Sequence, residues 1–158
     1  MRIAILSDTH GKTEYFLSQM RKRNDIDKII HLGDFAWDAE LIKDELSIPV
    51  IYVKGNNDFG SDAPLDKVIY LEGHKVWLTH GHRYNVYFGV DSLFYRAKEV
   101  GADIVMYGHT HSFFYEITEG IRFLNPGSLS HSRGDGHTSY VIMDITNKDV
   151  RIERIIEK

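Results

Sequence analysis

Five times along this chain a short apolar run stops at a polar cluster built from Asp, His or Asn, with glycine in or beside it. The clusters are Asp8-Thr9-His10, Gly33-Asp34, Gly55-Asn56-Asn57-Asp58, His80-Gly81-His82 and Gly108-His109-Thr110-His111. The runs before them cover residues 3–6, 28–32, 50–53, 75–79 and 104–107. A short apolar run ended by a polar, Gly-bearing stretch reads as a buried strand entering a loop. Windows 12–23, 39–46 and 89–100 read as helices, with Pro49 and Gly101 as stops for the second and third. Strand, loop, helix, strand is the βαβ order of a parallel sheet, and ligands collect at the carboxyl edge of such a sheet.

The second half is richer in strands. Turn signals at 72–74, 119–120 and 146–149 predict three hairpins, and thus a second sheet packed on the first. The 158 residues suit one domain spanning 1–158. Hydrophobic residues at 42% and charged ones at 27% describe an ordinary globular protein. A net charge of −4 argues against a broad grip on nucleic acid or an anionic membrane, and no apolar stretch is long enough to span one. Cysteine is absent, which excludes disulfides and thiolate chemistry and fits a cytoplasmic location. The first residues run straight into a strand, with no leader pattern.

Imidazole and carboxylate without thiolate suit Mn²⁺, Fe, Ni²⁺ or Zn²⁺. Side chains at i and i+2 of an extended segment point the same way, so Asp8 and His10 are expected to reach one ion together. The same spacing aims His109 and His111 at one locus unless a turn separates them. A single strand-end Asp is more often a cap or a turn former. Five clusters on one sheet edge are harder to explain as unrelated turns.

Taken in order, these motifs resemble those of the calcineurin-like metallophosphoesterases. The short length and Asn125-Pro126-Gly127-Ser128 resemble the small YfcE-type phosphodiesterase branch. The resemblance runs from residue 1 to about 145. It implies an α/β fold, a four-layer αββα sandwich of two mixed sheets flanked by helices, with the metal site at the strand ends. It also implies two divalent ions, Mn²⁺ foremost, bridged by Asp34. Asp8, His10 and His111 match the ligands of the first ion, and Asn56, His80 and His109 those of the second. The implied reaction is hydrolysis of a small phosphoester, most naturally a diester, by a hydroxide between the ions.

One position departs from the pattern. Many larger members carry a His after the ligand Asn, where this chain has Asn57, and an amide cannot act as a general acid. His82 is a candidate replacement, grouped with Asp34 and Asn56 as catalytic; the alternative is a hydrogen-bonding role behind the ligands. Asp58 is expected to orient Asn56 or His80, His31 to be a satisfied core histidine, and His74 to be solvated in its hairpin. His131 and His137 flank a loop whose Arg133 could contact substrate. Arg83 is weighed between phosphate contact and solvation, and Ser128 between the site mouth and a plain turn. The aromatic stretch Tyr84, Tyr87, Phe88, Phe94 and Tyr95 is expected to pack in the core, or else to serve a partner such as a second copy in a homodimer. A competing reading is a non-catalytic metal-binding scaffold like the retromer subunit of this fold. A nuclease is a third, disfavoured by the lack of a basic track.

Overall fold

The computed structural model describes residues 1–158. In chain order the elements are β1 (Arg2–Leu6), α1 (Glu14–Met20), β2 (Lys28–His31), α2 (Ala36–Glu45), β3 (Val50–Tyr52), β4 (Asp66–Leu71) and β5 (His74–Thr79). After a 3₁₀ turn at Val86–Phe88 come α3 (Asp91–Val100), β6 (Ile104–Met106), β7 (Phe113–Thr118), β8 (Ile121–Pro126), β9 (Ser139–Ile145) and β10 (Val150–Ile156). One sheet has the order β10-β9-β1-β2-β3 and the other β4-β5-β6-β8-β7. Both are mixed. β1, β2 and β3 are parallel, as are β5, β6 and β8, while the outer strands β9, β10, β4 and β7 pair antiparallel.

The period of two along each strand assigns the layers. Ile3 and Ile5 of β1 face inward, with Ile30, Val76, Leu78, Ile104, Met106 and Leu124, to form the core between the sheets. Ala4 and Leu6 of the same strand face outward onto Phe16, Leu17 and Met20 of α1 and Ile42 of α2. On the far side Trp77, Val105 and Phe123 meet Leu93 and Ala97 of α3. The result is the expected αββα sandwich. Each of the buried Val, Leu, Ile, Met and Phe side chains among these contributes about 1.5–3 kcal/mol of apolar burial.

Some boundaries differ from the sequence reading, for physical reasons. The α2 helix begins at Ala36, three residues earlier than expected, because Asp58 supplies a cap from across the sheet edge. Its carboxylate accepts the N–H groups of Asp34, Phe35 and Ala36 at 3.0, 2.9 and 2.7 Å, and that of Gly55 at 2.7 Å. Asp58 therefore braces the Asp34 loop rather than orienting Asn56 or His80. The strands after residue 65 do not all join the second sheet: β9 and β10 complete the first by pairing beside β1. The aromatic stretch divides. Phe94 and Tyr84 pack against the α3 core, whereas Tyr87, Phe88 and Tyr95 are 56%, 87% and 68% exposed.

Candidate metal centre

The loops after β1, β2, β5 and β6 bring Asp8, Asp34, His80 and His109 to one edge of the molecule, with His10 and His111 beside them. Asp8, Asp34 and His80 are almost wholly buried, at 0%, 2% and 0% exposure. Asp34 stands between two histidines. One oxygen is 3.7 Å from Nε2 of His10 and the other 3.4 Å from Nε2 of His80. Oδ1 of Asp8 is 3.7 Å from Nε2 of His80 and 3.1 Å from Nε2 of His111. Two overlapping groups of convergent donors result, Asp8 with His10 and His111, and Asp8 with Asp34 and His80. The His80 and His109 rings meet at 5.1 Å, and those of His10 and His111 at 5.4 Å.

The backbone conformation that achieves this convergence is not extended. Asp8, His10, Asp34, His109 and His111 all have left-handed φ, between 44° and 69°. For residues other than glycine such conformations cost about 1–3 kcal/mol each, and they persist where the surroundings over-determine them. Asp8 and His10 therefore approach one another through two left-handed residues, not through the same-side projection of an extended i, i+2 pair. The turn between His109 and His111 does separate them: His109 packs on His80, while His111 faces Asp8.

Close backbone approach is enforced at two glycines. A Cβ at Gly55 would fall 2.1 Å from Oδ1 of Asp34, and one at Gly108 would fall 2.0 Å from Oγ of Ser7 and 2.8 Å from Oδ2 of Asp8. No side chain fits at either place. Asp8 is further fixed by the Ser7 hydroxyl at 2.7 Å and the His109 N–H at 2.9 Å, both donating to Oδ2. Ser128 and Ser130 donate to its carbonyl at 2.7 and 2.9 Å. Ser7 and Ser130 carried no recognisable signal in the sequence. Ser128 is buried behind Asp8 rather than forming the site mouth.

Hydrogen bonds at the back of the rings set their tautomers. Nδ1 of His80 lies 2.8 Å from the Leu32 carbonyl, and Nδ1 of His111 lies 2.9 Å from the His131 carbonyl. In the neutral rings each Nδ1 must carry the proton and donate it. Each Nε2 then presents a lone pair into the site, which is the arrangement of a metal-ligating histidine. Oδ1 of Asp8, Nε2 of His10 and Nε2 of His80 are all buried without a hydrogen-bond partner. Leaving such groups unsatisfied costs about 1–3 kcal/mol each. Acceptors aimed at acceptors from a buried carboxylate and imidazole set fit a divalent cation between them.

At Asp8, Asp34 and His80 the facing charges outweigh burial. Burial alone would raise Asp8, but the facing His111 and His80 outweigh it and hold the carboxyl below its ordinary range. Asp34 follows the same pattern, with burial opposed by His80 and Asn57. Burial would lower His80, yet Asp34 and Asp8 raise it. His109 is pushed down to about 4 by burial and by His80. Burial, then His80 and Arg83, lowers His82.

The remaining candidates separate. Asn56 is exposed, and the side chain from its loop that reaches Asp34 is that of Asn57. The Asn57 main-chain N–H donates to Oδ1 of Asp34 at 3.0 Å and its amide to Oδ2 at 2.7 Å. His82 lies near the cluster, its ring 5.5 Å from His80 and 6.1 Å from His109, with a buried Nδ1 that has no partner. His31 is a fully buried core histidine: its Nδ1 accepts the Gly33 N–H at 3.1 Å, so Nε2–H donates to the Thr9 hydroxyl at 3.0 Å. Arg83 is drawn away from the centre into an ion pair with Asp66 at 2.7 Å. His74, in its hairpin, meets the Thr146 carbonyl at 2.9 Å.

Comparison with known proteins agrees with this geometry. The chain is 34% identical over 149 residues to the probable metallophosphoesterase YsnB of Bacillus subtilis, covering 93% of this chain and 86% of that one. It is 30% identical to the phosphodiesterase MJ0936 of Methanocaldococcus jannaschii, covering 80% and 83% of the two chains. It is 31% identical to vacuolar protein sorting-associated protein 29 of Schizosaccharomyces pombe, covering 82% and 73%. The model of the calcineurin-like phosphoesterase superfamily domain matches residues 1–148, and the chain belongs to that family.

Proposed function

We propose that this protein is a phosphodiesterase that works with two divalent cations, Mn²⁺ foremost, held by Asp8, His10, Asp34, His80, His109 and His111. The observation that carries the proposal is the set of buried oxygen and ring-nitrogen atoms on Asp8, His10 and His80 that have no hydrogen-bond partner. Divalent cations bound there would acidify an attacking water and offset the charge that builds on the phosphoryl oxygens.

The chain's own residues supply the rest. Asp34, with an oxygen toward each of His10 and His80, would be the carboxylate that both cations share. The Leu32 and His131 carbonyls keep the lone pairs of His80 and His111 aimed inward. Asn57 steadies Asp34 but cannot donate a proton to a departing alcohol, so esters of acidic alcohols are the favoured substrates. His82, with its ring 5.5 Å from His80 and 6.1 Å from His109, is the imidazole proposed to help the alcohol leave. Similarity to a phosphodiesterase favours a diester, and the net charge of −4 favours a small one over a nucleic-acid strand. The absence of cysteine suits the cytoplasm.

A second reading, a metal-binding scaffold without turnover, is favoured by the similarity to vacuolar protein sorting-associated protein 29 and by the amide at position 57. A chromogenic diester assayed across divalent metals, with Asp34→Asn and His80→Ala as controls, separates the two. Metal-dependent turnover abolished by both substitutions supports the hydrolase. No turnover at full metal occupancy defeats it.

A further inference from the structure

Arg133 is fastened to both histidines of the last loop. Its main-chain N–H donates to the His111 carbonyl at 3.0 Å. Its guanidinium donates to the Tyr87 hydroxyl at 2.7 Å, which in turn donates to the His109 carbonyl at 3.2 Å. The Tyr87 ring packs on His109 at 4.9 Å. Seven of the nine arginines in the chain are in ion pairs, and Arg133 is not. A guanidinium has five N–H donors, and Tyr87 accepts from one of them. This is a cation held beside the His109–His111 loop with most of its hydrogen-bonding capacity uncommitted.

Beside it lies a hollow of about 350 Å³ lined by Val90, Tyr107, Phe113 and Phe114 together with Tyr87 and Arg133. Thr110, the residue between His109 and His111, also lines it, which puts the hollow beside the loop that carries both histidines. An apolar, partly aromatic recess with one charged group is the usual make-up of a site for a small organic ligand, and this volume lies within the range of such sites.

From this arrangement we infer that the hollow is the subsite for the organic half of the ester, and that Arg133 contacts the phosphoryl group. The inference rests on the phosphoesterase reading and deepens it. The substrate class it names is a phosphoester of an aryl-sized, apolar alcohol. The aromatic walls take the organic group, and the free N–H groups of Arg133 bind a phosphoryl oxygen that faces away from the cations.

Titration calorimetry of the Mn²⁺-loaded protein with phenylphosphonate and methylphosphonate tests this without turnover. The wild type is expected to bind phenylphosphonate about tenfold more tightly, since burying a ring contributes more than the roughly 1.4 kcal/mol that tenfold requires. Arg133→Gln is expected to weaken both ligands about tenfold, the size of a lost charge-assisted hydrogen bond, and Arg133→Lys to recover part of the loss. Equal affinity for the two phosphonates, or no change in Arg133→Gln, overturns the inference. The subsite and the hydrolase reading fail separately. Diester hydrolysis without a phenyl preference removes the subsite alone, whereas a phenyl preference without hydrolysis supports the subsite and removes the hydrolase.

Discussion

Nε2 of His111 stands 3.1 Å from Oδ1 of Asp8, while the opposite ring nitrogen of His111 meets the His131 carbonyl at 2.9 Å. With a neutral ring both atoms of the Asp8 contact are acceptors. Neither gains from the other until a cation lies between them.

Cation binding should therefore be a folding stabiliser. At a concentration one hundred times the dissociation constant, a single site contributes about 2.7 kcal/mol, which raises the melting temperature of a chain this size by roughly 5–10 °C. Thermal melts with Mn²⁺ and with chelator measure the shift. His111→Ala, which removes one ligand, should shrink it, and an equal shift in the variant would count against the site.

Gly55 should tolerate no side chain. Alanine would place its Cβ 2.1 Å from Oδ1 of Asp34, so the carboxylate has to move. Overpacking of this kind costs about 1–3 kcal/mol. The expected result for Gly55→Ala is a folded protein by circular dichroism that has lost roughly a hundredfold or more in diesterase activity, because small misplacements at a reacting centre cost that much. Wild-type activity would show that Asp34 need not be held where it is.

Asn57→His should change which esters are turned over. An imidazole at this position supplies the proton donor that the amide cannot, and general acids contribute about 10²–10⁴-fold where the leaving group needs one. The ratio of rates for a poor and a good leaving group should rise at least about tenfold in the variant. An unchanged ratio would mean that position 57 does not face the departing alcohol.

His31 should make the fold acid-sensitive. Burial pushes its pKa from an ordinary 6.5 to about 4, and its Nδ1 is already an acceptor of the Gly33 N–H. Between those pH values the unfolded chain holds a proton that the folded one does not. Stability from this group is thus complete above about pH 6.5 and is lost as pH falls toward 4, a loss of about 2 kcal/mol by pH 5. Melts of the wild type and of His31→Gln between pH 7 and 5 should diverge accordingly, and the His31 ring resonance should titrate near pH 4. A midpoint near 6.5 would contradict the buried, neutral assignment.

Much of the layered fold was legible because its cause is local. The apolar runs before Asp8, Asp34, His80 and His109 are buried strands, and Gly101 ends α3 with φ 69°. What was not legible depends on contacts across the chain. The early start of α2 comes from Asp58, 22 residues beyond Ala36, and no local pattern announces it. The pairing of β9 with β1 joins residues about 140 positions apart, and hairpin signals report only the β9–β10 partner. At the site the residue types were readable but not the backbone that aims them. Left-handed φ at Asp8, His10, Asp34, His109 and His111 is imposed by packing, not by any propensity of those residues alone. Ser7 and Ser130 escaped notice because a hydroxyl near a ligand carries no spacing signature.

Anomalous diffraction from crystals grown with Mn²⁺ would test the central claim most directly. Two peaks are predicted on either side of the Asp34 carboxylate, one contacting Asp8, His10 and His111 and the other His80 and His109. A single peak away from Asp34, or none at saturating Mn²⁺, would contradict a paired-cation centre.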